Sequence, residues 1–333
     1  MTMNGRTRLL LMATAVSAML FTGSRLLQTG QAVQTESIPE TTVPTQLPTQ
    51  PATEPPEDPR VELCRIAAQK AGDGNLLVYD VTERTMLYTN IPSTQALYPA
   101  SITKLFTAYV ALQYLSPDTV ITAGWELGML QPGSSTAFIA MDSRLTAEML
   151  VEAMLLPSGN DAAYILAAAA GRAIAGDSNI GARKAVAIFL EEMNRMAEEV
   201  GFANSHFENP DGYHHENHYS CLGDLATMGE LALQNETITK YARLQQDSVR
   251  FVSGETIAWY NTNRLLNPES AWFCPQAIGL KTGYTQEAGY CLLAAFEENG
   301  HQYLVGIFDA ESTLSRYTDA INLFKAAKNT GDG

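Results

Sequence analysis

The chain is expected to fold as an α+β protein, a mostly antiparallel sheet layered against helices. Three observations lead there. Runs rich in β-branched and aromatic residues occur near both ends of the folded part, and helical patterns fill the middle. An early pair of β-rich runs, 75–81 and 85–89, and a late series of five bracket those helices. The chain has 333 residues, 46% of them hydrophobic, enough for one large core or two smaller ones.

The elements follow in order. Residues 75–81 and 85–89 form two β-rich runs around Thr82-Glu83-Arg84, a hairpin. Residues 101–115 read as a helix whose apolar Ile102, Leu105, Phe106, Tyr109, Val110 and Leu112 cover most of its circumference, so it is buried. Helices are also predicted over 145–156, over the alanine-rich 161–170, over the amphipathic 183–200, and over 222–233, with 238–246 a further helical stretch. Strands follow at 248–253, 257–260, 277–282, 289–296 and 303–309, and a helix over 312–328 closes the fold.

The N-terminus has a different character. Arg6 and Arg8 precede an apolar run from Leu9 to Phe21, the pattern of a signal peptide. The run is short against the roughly 20 apolar residues of a membrane-spanning helix. Residues 1–30 are therefore expected to be a signal peptide or an N-terminal membrane anchor, which places the protein outside the cytoplasm. Residues 31–60, rich in Pro, Thr, Gln and Glu, hold too few apolar side chains to offset ordering entropy and read as a disordered, semi-rigid linker. The folded domain is assigned to 61–330. Formal net charge is -15, and no Lys/Arg cluster follows residue 60, so nucleic acid and anionic lipid surfaces are not expected partners. The 4 cysteines, Cys64, Cys221, Cys274 and Cys291, lack Cys-x-x-Cys spacing. Cys291, inside an apolar strand, is expected to be a buried free thiol.

Three short motifs carry the chemistry. Ser101-Ile102-Thr103-Lys104 sets a hydroxyl and an amine three residues apart, on one face of a helix. A serine hydroxyl is a poor nucleophile without an adjacent base. The apolar surroundings of Lys104 (Tyr98, Pro99, Leu105 and Phe106) would lower its pKa toward neutrality, fitting it for that task. Amides at the helix start would supply oxyanion donors. Ser158-Gly159-Asn160 follows Pro157 between two predicted helices, where a hydroxyl can relay a proton and an amide can hold substrate or orient Lys104. Lys281-Thr282-Gly283 lies on a strand: a cation and a hydroxyl there can bind a terminal carboxylate, and the glycine admits a second backbone. The Tyr284 amide is a candidate second oxyanion donor. Each motif alone matches ordinary helix, turn and strand chemistry. Their joint order is what points to acyl transfer at a serine.

These residues, with their flanks, resemble the low-molecular-mass penicillin-binding proteins that act as serine-type D-alanyl-D-alanine carboxypeptidases. The likeness runs through Tyr98-Pro99-Ala100-Ser101, Leu156-Pro157-Ser158-Gly159-Asn160-Asp161, Asn209-Pro210-Asp211-Gly212 with His218-Tyr219-Ser220, and Gly279-Leu280-Lys281-Thr282-Gly283-Tyr284-Thr285. It spans about residues 65–327. The resemblance implies the penicilloyl-serine transferase fold, a five-stranded sheet with a helical subdomain. It implies Ser101 as acylated nucleophile, Lys104 as its base, Ser158 and Asn160 as the second motif, and Lys281 with Thr282 as the carboxylate site. It implies a peptidoglycan stem peptide ending in D-Ala-D-Ala as substrate, β-lactams as covalent inhibitors, and no cofactor. Many such proteins carry a C-terminal β-rich domain and a membrane-binding tail helix. Here the sequence stops about five residues after its last predicted helix, so any tether is expected at the N-terminus.

Four other readings rank lower. His206, His214, His215 and His218, near Asp211 and Glu216, suggest zinc, but no His-Glu-x-x-His helix is present, so no metal is expected. A β-lactamase would need a Glu-x-x-x-Asn loop; only Glu208 lies in that region. A non-catalytic wall-binding protein would be expected to lack nucleophile or base. A D,D-endopeptidase differs only in how its groove accepts a branched peptide.

Overall fold

Strands far apart in sequence pair to make the central sheet. The structure, a computed structural model, describes residues 58–329. The expected leader or anchor over 1–30, and the expected linker apart from 58–60, lie outside the described residues.

Helix α1 (Pro59–Ala68) opens the described chain, followed by the hairpin β1 (Asn75–Asp80) and β2 (Thr85–Thr89). A short β3 (Ala96–Leu97) leads to α2 (Thr103–Ala111), then β4 (Val120–Thr122) and β5 (Arg144–Thr146). The helical region continues with α3 (Ala147–Leu155), α4 (Asn160–Ala175) and α5 (Ala182–Glu199). A short β6 (Ser220–Cys221) precedes α6 (Leu222–Gln234) and α7 (Glu236–Ala242). The hairpin β7 (Gln246–Arg250) and β8 (Thr256–Tyr260) follows, then β9 (Ala277–Thr285), β10 (Gly289–Glu298), β11 (His301–Ala310) and α8 (Thr313–Ala327).

The five-stranded sheet has the order β2-β1-β11-β10-β9, and every pairing in it is antiparallel. Its inner strands are apolar on both faces, and alternation divides them between two cores. Leu76 and Val78 of β1, Leu292, Ala294 and Phe296 of β10, and Val305 and Ile307 of β11 pack with α1 and α8. Leu77, Leu293, Ala295, Leu304 and Phe308 face the opposite core, shared with α2 to α6. Strand β9 is the edge, and beside it stands the turn that opens α2.

Several boundaries differ from the sequence expectation for local reasons. The helix expected over 101–115 begins as a 3-10 turn at Ala100–Ile102 and becomes α-helical from Thr103. Ala100 sits at φ 48, which no helix interior allows. The helix ends at Ala111, and Leu115 precedes Ser116-Pro117, a pair hostile to helix. The helix expected from 145 begins at Ala147, because Thr146 caps it by accepting the Met149 N–H at 3.3 Å. Pro59 and Arg60, assigned by composition to the linker, open α1. Asp58 is its N-cap and Pro59 its first residue, a start signal that a composition window averages away.

Arg60 fixes that helix to the sheet. Its guanidinium meets Asp58 at 2.6 Å, Asp80 at 2.5 Å and Glu83 at 2.5 Å. Asp80, at the end of β1, is fully buried, so its charge needs this partner. All four cysteines are free and buried, Cys291 among them.

Helices α4 and α5 touch through a residue without a side chain. A Cβ on Gly171 would lie 1.9 Å from the Ala185 carbonyl oxygen. Gly171→Ala gains roughly 1 kcal/mol of helix propensity. It also pushes two backbones apart, an overpacking cost of about 1–3 kcal/mol that no rotamer change relieves. The expected result is a lower thermal midpoint by calorimetry. An unchanged or higher midpoint would show that the helices separate freely.

Candidate active site

The turn at 100–102 places Ser101 where three backbones converge. A Cβ on Gly283 of β9 would stand 3.0 Å from the Ser101 nitrogen. Gly212, at φ +79, would carry its Cβ 1.9 Å from the Ala100 carbonyl oxygen. Gly212 therefore excludes any side chain and Gly283 leaves almost no room for one, so Ser101 is held between the edge strand and the loop 209–212.

Lys104 completes the centre. Its Nζ lies 2.8 Å from Ser101 Oγ and 2.7 Å from the Asp211 carbonyl oxygen. The side chain is fully buried. Burial lowers its pKa to about 8, while the charges of Asp211 and Asp161 pull the other way. As an ammonium, Nζ donates to both oxygens. As an amine, its lone pair can take the Ser101 hydroxyl proton across the same gap.

The other candidates are placed as follows. A cavity of about 450 Å³ is lined by Ser101, Asn160 and Tyr284, together with Ser134, Ser135, Asp211, Tyr213, His214 and Glu287. Asn160 opens α4, and its N–H donates to the Ser135 carbonyl at 2.8 Å. Ser158 is buried, held at φ 65 in the turn between α3 and α4. Lys281 of β9 is buried, and its Nζ donates to the Thr282 carbonyl at 2.9 Å. Burial drives its pKa well down, with further lowering by the charges of Lys104 and Arg316. Thr282 Oγ1 stands 2.6 Å from Thr262 Oγ1. Ser158, Lys281, Thr282 and Gly283 do not line that cavity.

Sequence reasoning passed over part of this wall. The Asp211 carbonyl has no side-chain signature, although Asn-Pro-Asp-Gly marks its loop. The segment 132–135 (Pro-Gly-Ser-Ser) reads as an ordinary turn. Asp161 pins the chain beyond it: its carboxylate accepts N–H groups from Ala137 at 2.8 and 3.0 Å and from Ile139 at 3.0 Å.

The histidines have separate tasks. His206 Nδ1 meets Asn194 Oδ1 at 3.3 Å. The His214 ring packs edge-on against Tyr98. His218 is buried, its Nδ1 accepting the Glu208 N–H at 3.2 Å, so the ring proton sits on Nε2 and points to Thr103 Oγ1 at 2.9 Å. Among the described residues, the group of carboxylates and a histidine spaced for a metal is Asp80, Glu83 and His301, away from this site and already occupied by Arg60 at its carboxylates.

Solved structures share this architecture. The Streptomyces K15 DD-transpeptidase superimposes with a TM-score of 0.69 at 28% identity, covering 77% of this chain and 97% of that one. Penicillin-binding protein D2 of Listeria monocytogenes, solved in its ampicillin-bound form, gives 0.61 at 25% identity, covering 76% and 96%. The fold is thus that of the DD-peptidases, the penicilloyl-serine transferase fold. The family profile described as D-alanyl-D-alanine carboxypeptidase matches residues 64–312, and the chain belongs to that family. D-alanyl-D-alanine carboxypeptidase DacF of Bacillus subtilis is 31% identical over 68% of this chain and 55% of its own length. The D-alanyl-D-alanine carboxypeptidase of Streptomyces strain K15 is 30% identical over 72% and 81%. The chain thus spans little more than half of the first relative and most of the second.

The neutral state of His218 has a consequence for stability. Burial lowers its pKa from 6.5 to about 3, so the unfolded chain binds its proton at a higher pH than the folded one. The contribution is complete above pH 6.5 and is lost progressively as pH falls toward 3. Thermal midpoints measured from pH 7 to pH 4.5 should fall less steeply in His218→Gln than in the wild type. Equal slopes would mean the imidazole carries no such linkage.

Proposed function

We propose that this chain is a serine D,D-carboxypeptidase that removes the terminal D-alanine from peptidoglycan stem peptides through an acyl-enzyme on Ser101. The supporting observation is the 2.8 Å contact between a cavity-lining serine hydroxyl and a buried lysine whose pKa is brought down to about 8. In this reading Lys104, as the free amine, takes the Ser101 proton while Oγ bonds to the carbonyl carbon of the penultimate D-alanine. The resulting oxyanion is met by backbone N–H groups at Ser101 and Tyr284. Collapse breaks the C–N bond. The leaving amine receives the proton through the Lys104 and Ser158 side chains, and Asn160 holds the substrate backbone. Water then hydrolyses the ester by the reverse proton path. Lys281 and Thr282 receive the terminal carboxylate, and an arriving anion favours the ammonium form of Lys281 that burial otherwise opposes. β-Lactams enter the same path and stop at the ester.

The charged, then apolar, start of the sequence supports work outside the cytoplasm, with residues 1–30 as signal or anchor and 31–57 as spacer. A β-lactam-hydrolysing enzyme is the second reading, and the first experiment separates the two. Full-length protein is incubated with benzylpenicillin and followed by intact mass, alongside D-alanine release from diacetyl-Lys-D-Ala-D-Ala. A lasting penicilloyl adduct with D-alanine release is expected. Rapid loss of penicillin without adduct would make it a β-lactamase, and an adduct without release would favour endopeptidase action.

Ser101→Ala should form no adduct; retained acylation would overturn the mechanism. Lys104→Ala should slow acylation by about 10²–10⁴. Lys281→Ala should lower kcat/KM about tenfold or more for a substrate with a free C-terminal carboxylate, but much less for its C-terminal amide. Equal losses on both would remove Lys281 from carboxylate recognition.

A further inference from the structure

The amine of Lys104 is buried with two neutral oxygens as its hydrogen-bond partners, Ser101 Oγ and the Asp211 carbonyl. Two carboxylates act on it through space, Asp161 from α4 and Asp211 from the loop beneath it. Their other commitments differ. Asp161 is spent on backbone: its Oδ1 and Oδ2 accept N–H groups of Ala137 and Ile139, and Oδ1 also that of Ala162 at 2.9 Å. Asp211 Oδ1 accepts the Tyr213 N–H at 3.2 Å, but its Oδ2 is buried with no hydrogen-bond partner. Asp211 is 1% exposed and lines the cavity that holds Ser101. A buried carboxylate oxygen left open is costly unless a nearby positive charge compensates it. Burial pushes the Asp211 carboxyl above its ordinary value, and the Lys104 charge and the Tyr213 N–H pull it back toward the ionised form.

The remaining titratable groups do not supply that charge. His218, behind α2, is neutral, with its Nδ1 taken by the Glu208 N–H. Tyr164 of α4 has its phenol pushed up by burial and by Asp211 itself, so it stays protonated. Lys281 of β9 is turned to the Thr282 carbonyl, and its own ammonium is disfavoured by burial.

We propose that the Asp211 carboxylate is the charge partner of Lys104, a positioning residue that holds the ammonium form and so sets the lower pH limit of acylation. The proposal rests on Lys104 being the base, as read above. One residue then acts twice: its carbonyl aims Nζ at Ser101, and its carboxylate governs when Nζ is free to accept a proton. The carboxylate has two opposed effects. In the resting enzyme it keeps Lys104 protonated to higher pH. During attack, as the Ser101 proton reaches Nζ and Oγ bonds to carbon, it stabilises the ammonium being formed.

The test is the rate of penicilloyl-adduct formation with benzylpenicillin, followed by intact mass from pH 5 to pH 9.5, for wild type and Asp211→Asn. The amide keeps shape and main-chain carbonyl but removes the charge. The acid limb is expected to move about one pH unit lower. The plateau should fall by less than tenfold, so that the profiles cross and the variant is the faster enzyme near pH 6. An acid limb that stays in place, or moves upward, would overturn the proposal and leave Asp211 a structural residue. A wild type that forms no adduct, or shows no acid limb, would instead defeat the assignment of Lys104. Thermal unfolding confirms that the variant is folded, and Asp211→Ser, which removes the charge with less bulk, is measured in the same way if the amide is not accommodated.

Discussion

A fully buried lysine amine is the constraint around which the rest is arranged. An ammonium removed from water loses several kcal/mol of solvation, and here no hydrogen-bonded carboxylate repays it. The compensation is geometric: two oxygens at hydrogen-bond distance, and negative charges at longer range. This holds Lys104 close to the point where gain and loss of a proton balance near neutral pH. A surface lysine, free to rotate into solvent, would stay charged and could not act as a base.

Keeping those oxygens in place requires close backbone approach from two sides. Gly212 and Gly283 lie in the loop 209–212 and in β9, and each presses on the turn that carries Ser101. Ala100 at φ 48 and Ser158 at φ 65 occupy left-handed conformations that non-glycine residues enter at a cost of about 1–3 kcal/mol. Each lies within two residues of one that lines the cavity, Ser101 in the first case and Asn160 in the second. The sheet contributes an edge strand rather than a buried one. Gly283 of that strand packs against the turn of Ser101, and Tyr284 lines the same cavity as the hydroxyl.

The long elements were legible because periodicity is a local property. The expected 183–200 differs from α5 by one residue at each end, and β10 and β11 alternate between two apolar cores as their sequences require. The short strands β3 to β6 carry two or three residues each, too few for a period, and exist because a distant partner is adjacent. The site divides along the same line. Ser101 and Lys104 could be paired from their spacing on one turn of chain. The Asp211 carbonyl, Thr262 and the segment 132–135 reach the site through tertiary folding, and no local pattern in those residues announces it. Lys281 was identifiable as a cation on a strand, but not its burial, which depends on helices packed over β9 from elsewhere in the chain.

Arg60 has a positional meaning as well as an electrostatic one. It joins the first residues of α1 to the β1–β2 hairpin through Asp80 and Glu83, and α1 lies in the core with α8, on the sheet face opposite the one that carries Ala100 and Leu105. The Asp58 pair closes on the helix's own N-cap, while the Asp80 and Glu83 pairs tie that helix start to the end of β1 and the turn after it, so the entry of the chain is anchored to an inner strand rather than to α1 alone. The anchor and the turn around Ser101 thus belong to different cores, one on each face of the sheet, and share no side chain between them.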